Sequence, residues 1–222
     1  MDIVMRIIKT LLLSVLAGAL ISIGGLVFLS CNNKYIGALA FSVGLFFICE
    51  FKFFLYTGKV GRLIDYIKAK NWKSTLDLVF IAIGNFLGCL LISGIMHLTR
   101  VYDGLVAIDN TLVQTKLNDT WYSVLILAFM CGIMIYLGVE NFGRSNNNFS
   151  KVFGLVICVF VFIICSFEHS IADMFYFVFA DSFSWKTFGY ILLIILGNSL
   201  GGCFIPAILL LKDLTEKKND VK

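Results

Sequence analysis

The sequence predicts an all-α integral membrane protein of six spanning helices, arranged as two inverted three-helix repeats with the second and fifth helices broken. Three observations lead there. Apolar stretches about twenty residues long recur along the whole chain, a length that suits a hydrocarbon core of roughly 30 Å. Polar and ionisable residues interrupt two of those stretches. The second half of the chain also repeats a motif of the first at a fixed offset.

Of 222 residues, 59% are hydrophobic and only 14% charged, with a mean hydropathy of +0.93. Soluble domains carry roughly 45–50% apolar and about 25% charged residues, which excludes that class. The length suits one compact bundle, so the chain reads as a single channel domain over 1–222. Its repeats fall at approximately 5–105 and 118–213, and 213–222 reads as a short cytoplasmic tail. Cys49, Cys89, Cys131, Cys158, Cys165 and Cys203 lie within apolar runs, and no CxxC or Cys/His ligand spacing occurs. They read as small core residues, and no metal or other cofactor is expected. Phe28-Leu29-Ser30 before Cys31 loosely resembles a lipoprotein cleavage box. The apolar stretch from Ile7 nevertheless exceeds a signal core of about 7–15 residues, so it reads as a retained first span.

The spans are expected at 8–30, 36–56, 76–98, 121–142, 152–180 and 187–211, joined by short loops with Asn and Gly at several ends. Lys and Arg in those loops set the orientation. The side of the N-terminus holds thirteen: Arg6, Lys9, Lys59, Arg62, Lys68, Lys70, Lys73, Arg144, Lys151, Lys212, Lys217, Lys218 and Lys222. The other side holds four, Lys34, Arg100, Lys116 and Lys186, with Lys52 inside a span. Both termini should face the cytoplasm, as an even number of spans requires. These basic loops are explained by topology, and nucleic acid is not an expected partner.

Trp72-Lys73 precedes Gly84-Asn85-Phe86-Leu87-Gly88, and Trp185-Lys186 precedes Gly197-Asn198-Ser199-Leu200-Gly201. The Trp-to-Asn spacing is thirteen in both, and the copies are 113 residues apart, an offset that sets Thr57 on Ser170. Three spans per copy is odd, so the copies cross the membrane in opposite directions, with the substrate path at their interface. Span five breaks at Ser166-Phe167-Glu168-His169-Ser170-Ile171-Ala172-Asp173. Ionisable groups there cannot face lipid, since each costs at least roughly 2.5–3.5 kcal/mol at the bilayer centre. Span two breaks around Leu55-Tyr56-Thr57-Gly58, where Gly58 permits non-helical backbone. Asn85 and Asn198 either hydrogen-bond these breaks or join helix to helix.

Here the chain resembles the formate/nitrite transporter family. Phe167-Glu168-His169-Ser170-Ile171-Ala172-Asp173-Met174 is close to that family's F-E-H-S-I-A-N-M signature. Leu55-Tyr56-Thr57-Gly58 resembles its L-F-T stretch, and Gly197-Asn198 with Gly201-Gly202 its span-six motif. Lys116, 53 residues before His169, has the separation of the family's vestibule lysine. The resemblance covers nearly the whole chain. It implies an aquaporin-like fold, a homopentamer in the lipid bilayer of the cell membrane, and one pore per protomer for a small monovalent anion or its weak acid: formate, nitrite, hydrosulfide or, in some members, lactate. By the same resemblance His169 would be the central pore histidine, Thr57 the facing hydroxyl and Tyr56 a further pore residue. Leu55 and Phe162 would form the constriction on the periplasmic side of the histidine, Phe41 would belong to the cytoplasmic constriction, and Lys116 would concentrate anions in the outer vestibule.

Several positions depart from the pattern. Phe54 stands where the family usually has an acid, with Glu50 one helical turn earlier as candidate substitute. Asp173 replaces the signature asparagine, and Gly132 stands where an asparagine is common. Lys52 is expected to pair with Glu50, Glu168 or Asp173, because a lone buried charge is costly; the competing reading is a pore cation. Glu168 and Ser170 are expected to support the loop, Glu168 by accepting from backbone N–H groups rather than titrating with substrate. Thr57 suits capping and pore lining alike. His97 reads as an interface residue.

Burial and a nearby lysine disfavour the charged imidazole, so a mainly neutral His169 donating a hydrogen bond is expected. The anion would then cross as its neutral acid. A proton-coupled carrier of small monocarboxylates shares this scaffold and stays open as an alternative, as does an aquaporin-like neutral-solute channel, although paired N-P-A loops are absent and Pro206 is the only proline. An enzyme is not expected: no nucleophile motif or metal cluster accompanies His169 and Glu168.

Overall fold

A computed structural model describes residues 3–219, and these are helical with no strand among them. The helices are α1 (Ile3–Ser30), α2 (Lys34–Glu50), α3 (Tyr56–Lys59), α4 (Leu63–Lys68), α5 (Trp72–His97), α6 (Tyr102–Leu117), α7 (Trp121–Arg144), α8 (Asn148–Ile164), α9 (Ser170–Phe179) and α10 (Trp185–Asn219), with a 3₁₀ turn at Val60–Arg62 between α3 and α4. Four of them, α1, α5, α7 and α10, are long and apolar enough to cross a membrane. The apolar helices α8 and α9 are shorter. Leu76, Leu91, Leu192 and Leu196 on the long helices are about half exposed, a surface suited to lipid. The expected tail at 213–222 continues α10 as far as Asn219, while residues 220–222, Lys222 among them, lie outside the described residues.

Helix α1 packs along α5, and α10 along α7. Both pairs come close because glycine faces asparagine backbone. A Cβ on Gly18 would run into the Asn85 carbonyl, and one on Gly132 into that of Asn198. Gly132, where the resemblance suggested asparagine, is thus a close-packing residue.

Both breaks are built alike. Helix α2 ends with Lys52 N–H on the Cys49 carbonyl and Phe53 N–H on that of Ile48, and α8 ends with Ser166 N–H on Ile163 and Phe167 N–H on Phe162. This is a Schellman ending, whose left-handed residue is usually glycine. Here Lys52 and Ser166 take it, with φ of 57° and 55°. The chain then runs extended into α3 and α9. Non-helical backbone at Gly58 was expected instead, but Gly58 lies inside α3 and has no positive φ. The turn is made at the end of α2, where its last carbonyls need donors.

Asparagine supplies the partners that the interrupted backbone lacks. Asn85 Oδ1 accepts from Tyr56 N–H at 2.9 Å, while its Nδ2 donates to the Phe54 and Ser14 carbonyls, each at 2.8 Å. Asn198 Oδ1 accepts from Ser170 N–H at 2.9 Å, and its Nδ2 donates to the Glu168 and Ala128 carbonyls, each at 2.8 Å. These bonds match Tyr56 with Ser170 and Leu55 with His169. The match of Thr57 with Ser170 is therefore corrected by one residue, since the chain between break and asparagine is one residue shorter in the second half (28 against 29).

Helix α6 buries Leu105, Asp109 and Val113, one stripe at four-residue spacing. Asp109 is fully buried and neither carboxyl oxygen has a hydrogen-bond partner. Burial pushes this carboxyl up from 3.8 to about 8, against the pull of Lys116.

Two outcomes follow from these bonds and this burial. Asn85→Ala and Asn198→Ala should each destabilise the protein by about 1–3 kcal/mol for every backbone group left unpaired, read as a drop in thermal midpoint in detergent. Asp109 keeps its proton in the folded chain between about pH 4 and about 8, but loses it in the unfolded chain. Its contribution to stability should fall as pH rises through that window and level off above it. Asp109→Asn should abolish that slope, measured as thermal midpoints of both proteins across the same pH range.

Candidate functional site

The two breaks meet. Thr57, in the first turn of α3, and His169, the residue before α9, are 1% and 2% exposed. Thr57 Oγ1 lies 2.9 Å from His169 Nε2. The other ring nitrogen, Nδ1, accepts from Ala172 N–H at 3.1 Å and so caps α9. A backbone N–H can only donate, so Nδ1 presents its lone pair, and in the neutral ring the proton sits on Nε2 and points toward Thr57. Phe162 stacks on the imidazole, ring centroids 5.7 Å apart, and Phe41 meets Phe162 edge-on at 5.9 Å.

A separate cavity adjoins each break. One, of about 260 Å³, is lined by His169, Phe41, Phe162 and the charged groups Lys34, Lys116 and Glu168, among others. The other, of about 680 Å³, is lined by Leu55, Glu50 and the cations Lys52, Lys59, Arg62 and Lys151, among others. His169 belongs to the lining of the first and the buried Leu55, 2% exposed, to that of the second.

The structure repositions several residues. Phe41 was expected in the constriction opposite Lys116 and Leu55 on the Lys116 side, but the cavities hold them the other way round. The chain doubles back after Lys52, so counting residues back from Thr57 does not measure depth. Phe41 lies only seven residues from Lys34, roughly 10 Å along the helix at its 1.5 Å rise. Tyr56 leaves the pore: its hydroxyl meets Ser199 Oγ on α10 at 2.8 Å, while its backbone N–H binds Asn85. Lys52 makes none of the ion pairs expected of it and stands exposed at the larger cavity with Glu50. The left-handed turn swings it outward, and Lys116 takes both of the buried carboxylates that Lys52 was expected to reach.

Lys116 is accordingly not an open vestibule cation. Its ammonium is bonded to Glu168 and lies 2.8 Å from Asp173, with side chains 12%, 6% and 1% exposed. Burial alone would discharge this lysine, but Asp173 and Glu168 outweigh it and hold the ammonium charged. Glu168 does not tie down its loop through its carboxylate, as expected; Asn198 holds the loop by the Glu168 carbonyl, leaving the carboxylate free for Lys116. Ser170 contributes its backbone N–H to Asn198 while its hydroxyl has no partner. His97, at the end of α5, is stacked on Tyr102 at 4.0 Å and lies 3.3 Å from Asp181.

Sequence reasoning missed Asp109 and the grouping of Lys59, Arg62 and Lys151. The signal for Asp109 was a carboxylate midway between Leu105 and Val113 on one helical face. The three cations come from separate loops, and nothing local in the chain joins them.

The formate/nitrite transporter family model matches residues 2–211. Formate channel FocA of Escherichia coli K12 is 29% identical over 192 residues, covering 76% of this chain and 65% of the relative. The chain thus spans somewhat less than two thirds of that relative's length. Formate channel BtFdhC of Bacillus thuringiensis is 26% identical over 214 residues, 86% of this chain and 82% of that one. A solved pentameric formate channel with formate bound superposes with a TM-score of 0.79 at 22% identity, covering 96% of this chain and 100% of that chain. With the family's pattern running through almost all of its length, the chain belongs to the formate/nitrite transporter family.

Proposed function

We propose that the protein is a transmembrane pore for formate or a similar small monovalent anion such as nitrite or hydrosulfide, which crosses as its conjugate acid. The observation that carries this reading is the Thr57–His169 contact, set where two half-helices meet and flanked by cavities that both hold lysines. An ion moved from water into a dry constriction pays an idealised cost of order 20 kcal/mol. A neutral acid escapes that cost. Lys34 at one cavity and Lys52, Lys59 and Lys151 at the other raise the local anion concentration, Leu55, Phe41 and Phe162 exclude a hydrated ion, and His169 Nε2–H offers one oriented hydrogen bond.

The architecture belonging to this reading is six spans in two inverted repeats, the broken ones being α2 with α3 and α8 with α9. The matched asparagine bonds support it. The cavity of Lys52, Lys59, Arg62 and Lys151 and both termini face the cytoplasm, on the strength of thirteen basic residues against four. Five copies form the functional unit, a reading supported by the pentameric state of the superposed formate channel. The pore transports rather than catalyses. A second reading, a proton-coupled carrier of the same anions, is favoured by the buried carboxyls beside Lys116, and uphill accumulation under a pH gradient separates the two.

In proteoliposomes, His169→Ala and Thr57→Ala should lower formate flux, the histidine change by about tenfold or more, equivalent to at least ~1.4 kcal/mol of lost stabilisation in the passage. His169→Ala vesicles with wild-type flux and wild-type pH dependence for formate and nitrite would sink the proposal.

A further inference from the structure

The cavity beside His169 has an imbalance of charge. One ammonium, Lys116, is held by two carboxyls, Glu168 and Asp173, and all three side chains are nearly closed to water. Were both carboxyls ionised, the cluster would carry a net negative charge at the point where an anion must arrive. Asp173 Oδ2 also has no hydrogen-bond partner although it is buried. Buried carboxylate oxygens ordinarily find donors, so an oxygen left without one argues against a full charge on both carboxyls. Both carboxyls meet at the Lys116 ammonium.

His169 is a poor source of the proton that neutralises the anion. Its Nδ1 lone pair is occupied by Ala172 N–H. To give a proton away and remain a neutral ring it would first have to carry one on each nitrogen, which breaks the cap of α9.

Resting on the transport reading above, we propose that Glu168 and Asp173 share one exchangeable proton, and that this pair, not His169, protonates the passing anion. In the step, the carboxyl O–H bond of the pair breaks and an O–H bond forms on an oxygen of formate. Formic acid moves on past Phe162 and Leu55, and two carboxylates are left beside Lys116. Water in the Lys116 cavity returns a proton to the pair, and formic acid ionises in the opposite cavity. One anion and one proton cross together, so transport is electroneutral.

Other titratable groups bear on the pair. Lys116 and Asp109 come from α6, Asp119 from the turn after it, and Lys34 from the start of α2, where its ammonium bonds the Ile164 carbonyl and Ser166 hydroxyl. Tyr176 on α9 and Cys131 on α7 lie within its field. Only Lys116 contacts both carboxyls.

The test is Asp173→Asn, which keeps an oxygen for Lys116 and removes the shared proton, with Glu168→Gln as a second variant. The first arm is the infrared spectrum of the protein at neutral pH, recorded in an Asp109→Asn background so that Asp109's own acid signal is removed. A carboxylic-acid C=O band should be present and should be lost in Asp173→Asn. The second arm is formate uptake into proteoliposomes between pH 6 and pH 8 with a lumenal pH dye. Uptake by the parent should fall by clearly less than tenfold per pH unit, with one proton entering per formate. Asp173→Asn should follow bulk formic acid, falling about tenfold per unit, and Glu168→Gln should also differ from the parent. A parent without the acid band, or folded variants with the parent's band and pH profile, would overturn the proposal. If no protein took up formate, the transport reading would fall, and the infrared comparison would still decide where the proton resides.

Discussion

A polypeptide that interrupts a helix inside an apolar slab must find partners for the amides it frees. In this protein two carboxamides meet that demand, and the rest of the site is arranged around them. Each of Asn85 and Asn198 joins three backbone positions: the residue entering the half-helix, the residue two before it, and a carbonyl on the neighbouring long helix. An amide side chain suits the task because it donates and accepts at once. The glycines opposite, Gly18 and Gly132, bring the long helices close enough for the third bond. With the breaks pinned at both ends, Thr57 and His169 have little freedom left, and their contact is a consequence of scaffold rather than of mutual attraction.

Charge is handled differently at the two mouths. At the larger cavity Lys52, Lys59 and Lys151 make no ion pair among the described residues, so their field reaches the water there. At the smaller one, Lys116 is countered by carboxylates from the opposing break. A lysine so enclosed cannot act as a bare attractor; its field depends on how many protons its partners hold. The substitution of aspartate for the signature's asparagine at 173 is therefore not a detail of packing. It changes the number of charges the cavity can carry.

Much of this was legible in the chain. The apolar helices, the location of both breaks and the backbone-binding asparagines Asn85 and Asn198 could be read from apolar run length, misplaced polar residues and the Trp-to-Asn spacing. What escaped was geometry that sequence distance does not encode. Phe41 and Leu55 exchanged sides because a left-handed Lys52 reverses the chain, and nothing about a lysine announces that conformation, for which glycine is the usual residue. Tyr56 was read with its neighbour Thr57, although adjacent residues on a helix point about 100° apart. Lys116 and Asp173 lie far apart in sequence and meet only because α6 folds over the end of α9. Pairings of that kind are set by tertiary packing, and charge alone made Lys52 an equally reasonable partner.

The matched breaks also explain how near-symmetry yields an asymmetric site. Leu55 and His169 occupy the same structural position, the last extended residue before a half-helix. Leucine cannot cap, so Leu55 gives the start of α3 no side-chain bond; histidine caps α9 through Nδ1 and keeps Nε2 for Thr57. One scaffold position thus supplies an apolar plug in one half and a single oriented donor in the other. A pore built from two leucines would offer nothing to replace lost hydration, and one built from two histidines would admit water and protons freely. In the proposed transport of a small acid the two residues would divide the work, Leu55 excluding water and His169 offering the one hydrogen bond.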